Sequence, residues 1–256
     1  MMEAARGLKA KLAGDQVVLG VLAIDHVWTD LVELCQRGGL DYLIVCMEHG
    51  SADTDLVAEV CATGRRMNFP VLVRPRSNDY ATLRLAADLG ACGFLLASVE
   101  SAADLDIVRD ALYTPPRGRR RPGGMGNRWV PNYLGVTWQQ EFEADFIVLP
   151  QIETRKGMEN RDAIARHEMT TALALGPYDL SAELGVCGQM DAPILKEACL
   201  KVRESAHAAG KPGWLIGGDV AGMVRDGWRF LCAGEPSWIL VNAFRDRVSA
   251  AKSAGA

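Results

Sequence analysis

Four short stretches of this chain hold the side chains that could do chemistry: Cys46-Met47-Glu48-His49-Gly50, Arg74-Pro75-Arg76, Gln151-Ile152-Glu153-Thr154 and Gly176-Pro177-Tyr178-Asp179-Leu180-Ser181. Each follows an apolar run, so each sits where a buried strand gives way to a loop. The first three supply a base, a cation and a carboxylate. Glu153 and Asp179 stand out as a pair, because two carboxylates with few other protein ligands suit a hard divalent ion that keeps several waters. A second reading has Glu153 capping a helix that begins near Arg155, and Asp179 capping a turn over 180–184. His49 is the one histidine of four at a strand end beside an acid, Glu48, and Gly50 leaves room for a ligand. His26, His167 and His207 fall on helices or loops as solvated or capping residues. Arg74 closes the apolar run Val71-Leu72-Val73. A guanidinium projecting there needs an anion, from the protein or from a carboxylate substrate.

The elements that must carry these residues alternate regularly. Strands are expected at Val17–Ile24, Tyr42–Met47, Val71–Arg74, Gly93–Ala97, Phe146–Gln151, Thr171–Leu175, Gly213–Ile216 and Phe230–Ala233. Amphipathic helical patterns separate them: Trp28–Arg37, Thr54–Arg65, Tyr80–Leu89, Ala102–Leu112, Arg155–Ala165, Ala192–Ala209 and Asp219–Asp226. Glycines at 38–39, 64, 90 and 210 fall where those helices should stop. Eight strand–helix units in about 250 residues fit an α/β fold of the (β/α)8 TIM-barrel type better than a doubly wound sheet. In such a barrel, reactive residues gather at the C-terminal strand ends. One domain over 1–256 is expected, broken by an Arg/Gly/Pro-rich stretch at about 113–138. Its aromatics Trp129, Tyr133 and Trp138 favour an ordered insertion or active-site loop over a linker. Gly123-Gly124-Met125-Gly126 follows no strand and lacks a Lys-Ser/Thr ending, so it is neither a dinucleotide fingerprint nor a phosphate loop.

Composition narrows the partners. The 256 residues carry 28 Lys+Arg against 32 Asp+Glu, a formal charge of −4, with 49% hydrophobic and 23% charged residues. That profile excludes a disordered, fibrous or collagenous chain. The mild acidity offers no general attraction to nucleic acid or to an anionic membrane, and neither is expected as a partner. The single basic stretch, 117–128, reads as a solvated loop, as an anchor for a carboxylated or phosphorylated substrate, or, with least support, as a nucleic-acid contact. No apolar run approaches the roughly 20 residues of a membrane span, and the N-terminus lacks the layout of a secretory signal. Seven cysteines without a CxxC read as free, mostly buried thiols of a reducing cytoplasm. Cys46 reads first as a small buried hydrophobe and second as a reactive thiol.

In that order and at comparable spacing, Glu48-His49-Gly50, Val73-Arg74-Pro75, Gln151-Ile152-Glu153-Thr154 and Gly176-Pro177-Tyr178-Asp179-Leu180-Ser181 resemble the HpcH/HpaI family of metal-dependent 2-oxo acid aldolases, from about Gly20 to the C-terminus. The resemblance implies a barrel of the phosphoenolpyruvate/pyruvate type and a homo-oligomer, a trimer of dimers that exchange a C-terminal helix. Helix Asp219–Asp226 and Ser237–Lys252, with Trp238, Ile239, Val241 and Phe244 on an apolar face, suit a partner subunit or packing on their own barrel. It also implies that Glu153 and Asp179 hold Mg²⁺, Mn²⁺ or Co²⁺ as a Lewis acid toward pyruvate. Backbone amides at Tyr178 and Asp179 would bind the pyruvate carboxylate, and Arg74 would stabilise the keto oxygen, with Gln151 lining the same pocket. His49, oriented by Asp88, would act as general base. The implied reaction cleaves a 4-hydroxy-2-oxo acid to pyruvate and an aldehyde. The same site could serve another carbon–carbon step, such as oxaloacetate decarboxylation or a biosynthetic condensation, or the barrel could keep only a binding role. Three departures stand out. Cys46 occupies a position where the family commonly has Asp, Ala97 replaces a proline and is expected to loosen the loop after the fourth strand, and the stretch after Pro116 is longer and more basic.

Overall fold

The computed structural model describes residues 2–124 and 132–254; Gly126, Arg128 and Trp129 of the inserted stretch lie outside them. The chain runs α1 (Glu3–Leu12), β1 (Val18–Ala23), α2 (Leu31–Arg37), β2 (Tyr42–Cys46), α3 (Thr54–Arg66), β3 (Val71–Arg74), α4 (Tyr80–Asp88), β4 (Gly93–Leu96), α5 (Ala102–Leu112), α6 (Val136–Asp145), β5 (Ile147–Ile152), α7 (Arg155–Arg166), β6 (Leu173–Leu175), α8 (Pro177–Glu183), α9 (Pro193–Ala208), β7 (Gly213–Ile216), α10 (Val220–Arg225), β8 (Phe230–Cys232) and α11 (Pro236–Ala254). The strands are all parallel and close in sequence order, with β8 pairing back onto β1. This is a (β/α)8 TIM barrel, as expected.

The physical cause is legible in the strands. β2, β3, β4, β5, β6 and β8 are buried at every position, as strands covered by helices outside and by one another inside must be. Helix starts are set locally. Asp53 caps α3 by accepting from Leu56 N–H, Asp79 caps α4 through Ala81 and Thr82 N–H, and Thr154 caps α7 through Gly157 N–H. Tyr42, Trp214 and Phe230 meet from three strands. The Tyr42 hydroxyl donates to Leu231 O at 2.6 Å and accepts from Trp214 Nε1 at 2.8 Å, so both buried polar tips are satisfied.

Three helices were not expected. α1 packs Ala4, Ala5 and Leu8 inward and ties to α6 through Arg6 and Asp145 at 2.8 Å. α6 begins at Val136, near the end of the expected insertion, and buries Trp138 and Phe142. α8 replaces the turn expected over 180–184. Gly64 also corrects the reading of helix stops, because it lies within α3. A side chain there would stand 2.8 Å from Phe69 O and press on Val71, so the glycine serves close helix–strand packing. The last helix behaves differently from the others. Of the 19 residues of α11, Pro236 alone is buried, and Trp238 and Phe244 are 63% and 64% exposed.

All seven cysteines are free, and five are buried. Burial pushes the thiols of Cys35 and Cys199 up to about 11 and those of Cys61 and Cys232 to about 12, which leaves them poor nucleophiles. Among the described residues, no helix is long and apolar enough to cross a membrane.

Candidate active site

Because every strand runs the same way, the C-terminal ends of β2 to β6 open onto one cleft. Glu48 and His49 follow β2, Arg74 ends β3, Ser98 follows β4, Glu153 and Thr154 follow β5, and Asp179 comes from the first turn of α8. Together they line a cavity of about 410 Å³. Gln151 and Glu153 are two residues apart along β5 and its end, so both turn to the same side. Gly176 lies against both. A Cβ there would overlap Glu153 Oε2 and Gln151 Nε2, so only glycine leaves space for the two polar ends.

Glu153 is 5% exposed. Its Oε1 accepts from the Ser98 amide at 2.6 Å and from the Ser98 hydroxyl at 2.9 Å. Ser98 adopts a φ of 50°, a left-handed conformation unusual for a residue with a side chain, and in it both donors reach one carboxylate. Burial nonetheless outweighs these bonds. With the charges of Asp179 and Glu48 adding to it, it lifts the Glu153 carboxyl from 4.5 to about 6. The helix-cap alternative does not hold. Thr154 caps α7, and Asp179 sits inside the first turn of α8, where Gly176 holds the cap position.

The surroundings fit a hard cation. Glu48 Oε2 and Gln151 Oε1 are buried acceptor oxygens without a hydrogen-bond donor. Among the described residues no group of three or more His, Cys, Asp or Glu side chains is placed to hold a metal ion. Two carboxylates with orphaned oxygens beside them suit an ion that completes its shell with water or substrate. An ion there would offset the burial that raises Glu153 and the lesser repulsion from Asp179 and Glu48.

Arg74, 5% exposed, forms the opposite wall. Its Nε and Nη2 both donate to Cys46 Sγ, at 3.1 and 3.0 Å. Glu48 Oε2 also lies 3.1 Å from Nε but off the N–H direction, an ion pair without a hydrogen bond. Cys46 Sγ accepts a third bond, from the His49 amide at 3.4 Å. Cys46 is thus fully buried, but as a hydrogen-bond acceptor and not as an apolar filler. The His49 ring stands at the mouth, with Nε2 3.8 Å from Glu48 Oε2. At the β6–α8 junction Pro177 has no N–H, and the first amide to bond into the helix is that of Leu180, to Gly176 O at 3.0 Å. The Tyr178 and Asp179 amides have no partner among the described residues.

The model of the HpcH/HpaI aldolase/citrate lyase family matches residues 25–226, most of the chain. The protein belongs to this family. It is 30% identical over 254 residues to the 4-hydroxy-2-oxovalerate aldolase of Novosphingobium aromaticivorans, a match covering 96% of this chain and 94% of that protein. It is 29% identical over 216 residues to the 5-keto-4-deoxy-D-glucarate aldolase of Escherichia coli K12, covering 81% and 80%. The crystal structure of an HpcH/HpaI aldolase from Desulfitobacterium hafniense DCB-2 superposes with a TM-score of 0.86 at 28% identity, covering 94% of this chain and 95% of that one.

Within this HpcH/HpaI barrel, His49, Arg74, Glu153 and Asp179 line one cleft, with Gln151 behind Gly176. Tyr178 is at the same junction, but its side chain is 61% exposed, so its backbone is the part available to the cleft. Asp88 lies apart from this cleft within the chain. It is the last residue of α4, which runs back from the cleft, and it therefore lies at the opposite end of the barrel from His49. Its carboxylate accepts from Arg120 Nη2 at 2.9 Å, and within one chain it does not orient His49. The loop after β4 is also not loosened at Ala97. Asn78 Nδ2 bonds Ala97 O at 2.7 Å, and Val99 N–H bonds Gln151 O. The described part of the basic stretch is largely neutralised: Arg117 faces Glu143 and Glu168, Arg119 pairs with Asp110 at 2.7 Å, and Arg120 is 1% exposed against Phe142. Two further residues line the cleft beside the expected ones, Glu48 and Ser98. Glu48 was visible only as the neighbour of His49. Ser98 gave no signal beyond its place at the end of an expected strand.

Proposed function

We propose that this protein is a divalent-metal-dependent aldolase that cleaves, or forms, a 4-hydroxy-2-oxo acid, with pyruvate and an aldehyde as the small-molecule products. Its named relatives are aldolases, and the chain is likewise a carbon–carbon lyase. The observation that carries the finer reading is the convergence of a buried Glu153, Asp179, a buried Arg74 and His49 on one cleft.

Glu153 and Asp179 would hold Mg²⁺, Mn²⁺ or Co²⁺, which when bound supplies Lewis acidity toward the keto oxygen of a 2-oxo acid. The remaining work falls to the chain. The free Tyr178 and Asp179 amides take the substrate carboxylate and fix its orientation. Arg74, held in a water-poor setting, stabilises the negative charge that grows on the keto oxygen as the C3–C4 bond breaks. His49 accepts the proton of the C4 hydroxyl, leaving the aldehyde, and returns it in the condensing direction. The exposed apolar face of α11 supports a homo-oligomer in which this helix packs on a second copy of the chain.

A coupled assay tests the activity. Pyruvate release from a panel of 4-hydroxy-2-oxo acids is followed with metal removed and then restored. Cleavage of at least one acid should return with Mg²⁺, Mn²⁺ or Co²⁺, and Glu153→Gln and Asp179→Asn should abolish it. Wild-type turnover by both variants would overturn the assignment.

A further inference from the structure

Cys46 and Arg74 are Cα partners in the β2–β3 register, so their side chains leave the sheet on the same side. The sulfur takes both N–H groups of the side-on edge of the guanidinium, Nε and Nη2. The planar fork of arginine then fixes where the other edge points. Nη1 makes no hydrogen bond among the described residues, although Arg74 is 5% exposed and lines the cleft. That edge is open to the cleft, where an arriving acceptor can take its N–H groups. The same sulfur also accepts the His49 amide, so one atom anchors the base-bearing loop and the cation together.

We propose that Cys46 is the positioning residue for Arg74: its sulfur holds the side-on edge so that the end-on edge faces the cleft, ready for the oxygens of a 2-oxo acid. This deepens, and rests on, the aldolase reading above. A competitor stands ready beside it. Glu48 Oε2 lies 3.1 Å from Arg74 Nε with no hydrogen bond of its own. Without the sulfur, the Nε–H turns to Glu48, the fork rotates, and the guanidinium spends its charge on a protein carboxylate instead of on the substrate.

The test is a double-mutant cycle on the full-length protein loaded with Mn²⁺, with oxalate binding by calorimetry as a readout independent of turnover. Pyruvate C3 proton exchange and Tm are measured alongside. Cys46→Ala should weaken oxalate binding about tenfold and lower the exchange kcat by about 10- to 100-fold, the scale of a misaligned catalytic group. Cys46→Ser, which keeps an acceptor, should recover most of both losses. In an Arg74→Met background, where exchange is lost, Cys46→Ala should change oxalate affinity by no more than about twofold, because coupled residues are non-additive. If Arg74→Met does not fold, Arg74→Lys, which keeps the charge but loses the fork, takes its place. Equal losses in both backgrounds, or wild-type oxalate affinity in Cys46→Ala, would overturn the proposal. A wild-type protein that neither binds oxalate nor exchanges pyruvate would instead overturn the aldolase reading, and this inference with it.

Discussion

Replacing Glu153 by Gln should stabilise the metal-free protein while removing its response to metal. Burial raises the Glu153 carboxyl from 4.5 to about 6, so the folded state holds this proton more tightly than the unfolded chain does. The stabilising contribution of the protonated form is therefore present below pH 4.5 and is lost as pH rises through about 6. At about 1.36 kcal/mol per pH unit, a shift of roughly 1.5 units means that the ionised carboxylate costs the metal-free fold about 2 kcal/mol at pH 8. Gln keeps an oxygen for the two Ser98 donors but carries no charge. The variant should then melt roughly 4–8 °C above wild type at pH 8 in the presence of a chelator, on the size scaling for a chain of this length. At pH 5, where most Glu153 is protonated in the folded state, the gap should shrink to less than about half. Adding Mn²⁺ at about 100 times its Kd should stabilise wild type by about 2.7 kcal/mol and leave the variant almost unmoved. Thermal scans at the two pH values, with and without metal, make the measurement. A metal-free variant less stable than wild type at pH 8, or a gap that does not narrow at pH 5, would refute the reasoning.

Other substitutions probe other parts of the account. Gly176→Ala drives a methyl into Glu153 Oε2 and Gln151 Nε2; it should cost about 1–3 kcal/mol by overpacking and lower metal affinity, both read by calorimetry. Asp88→Ala removes the carboxylate facing the buried Arg120; denaturant unfolding should report a loss of about 3–5 kcal/mol, as expected when a buried charge loses its partner. A Trp238→Glu, Phe244→Glu double variant places charge on the exposed face of α11; light scattering should report a smaller assembly than wild type with the circular dichroism of the barrel retained.

The barrel was readable because the strands are short, mostly apolar runs, six of the eight buried at every position, a pattern that needs helices outside and neighbours on both edges. The strand ends were readable for the same reason, since a polar cluster directly after such a run has only the C-terminal face to occupy. What the sequence did not convey depends on the path of the chain between those ends. Asp88 follows Arg74 closely in sequence, yet α4 carries it to the far end of the barrel, where Arg120 meets it. Ser98 contributes through a left-handed backbone conformation that its residue type does not announce. Arg120 lies in a stretch that looks like solvated charge, and only the folded chain stacks it on Phe142. Cys46 looks apolar by composition, and its three donors appear only once β2 and β3 are in register. α1 was missed because its buried face is little more than Ala4, Ala5 and Leu8 among lysines.

The most direct test of the central claim needs no knowledge of the aldehyde. Pyruvate is incubated in D2O with the protein and Mg²⁺, Mn²⁺ or Co²⁺, the paramagnetic ions are removed by chelation, and loss of the methyl proton signal is followed by NMR. The account predicts exchange that depends on the metal, stops in chelator and disappears in Arg74→Ala. Absence of exchange with all three metals, or undiminished exchange in Arg74→Ala, would contradict it.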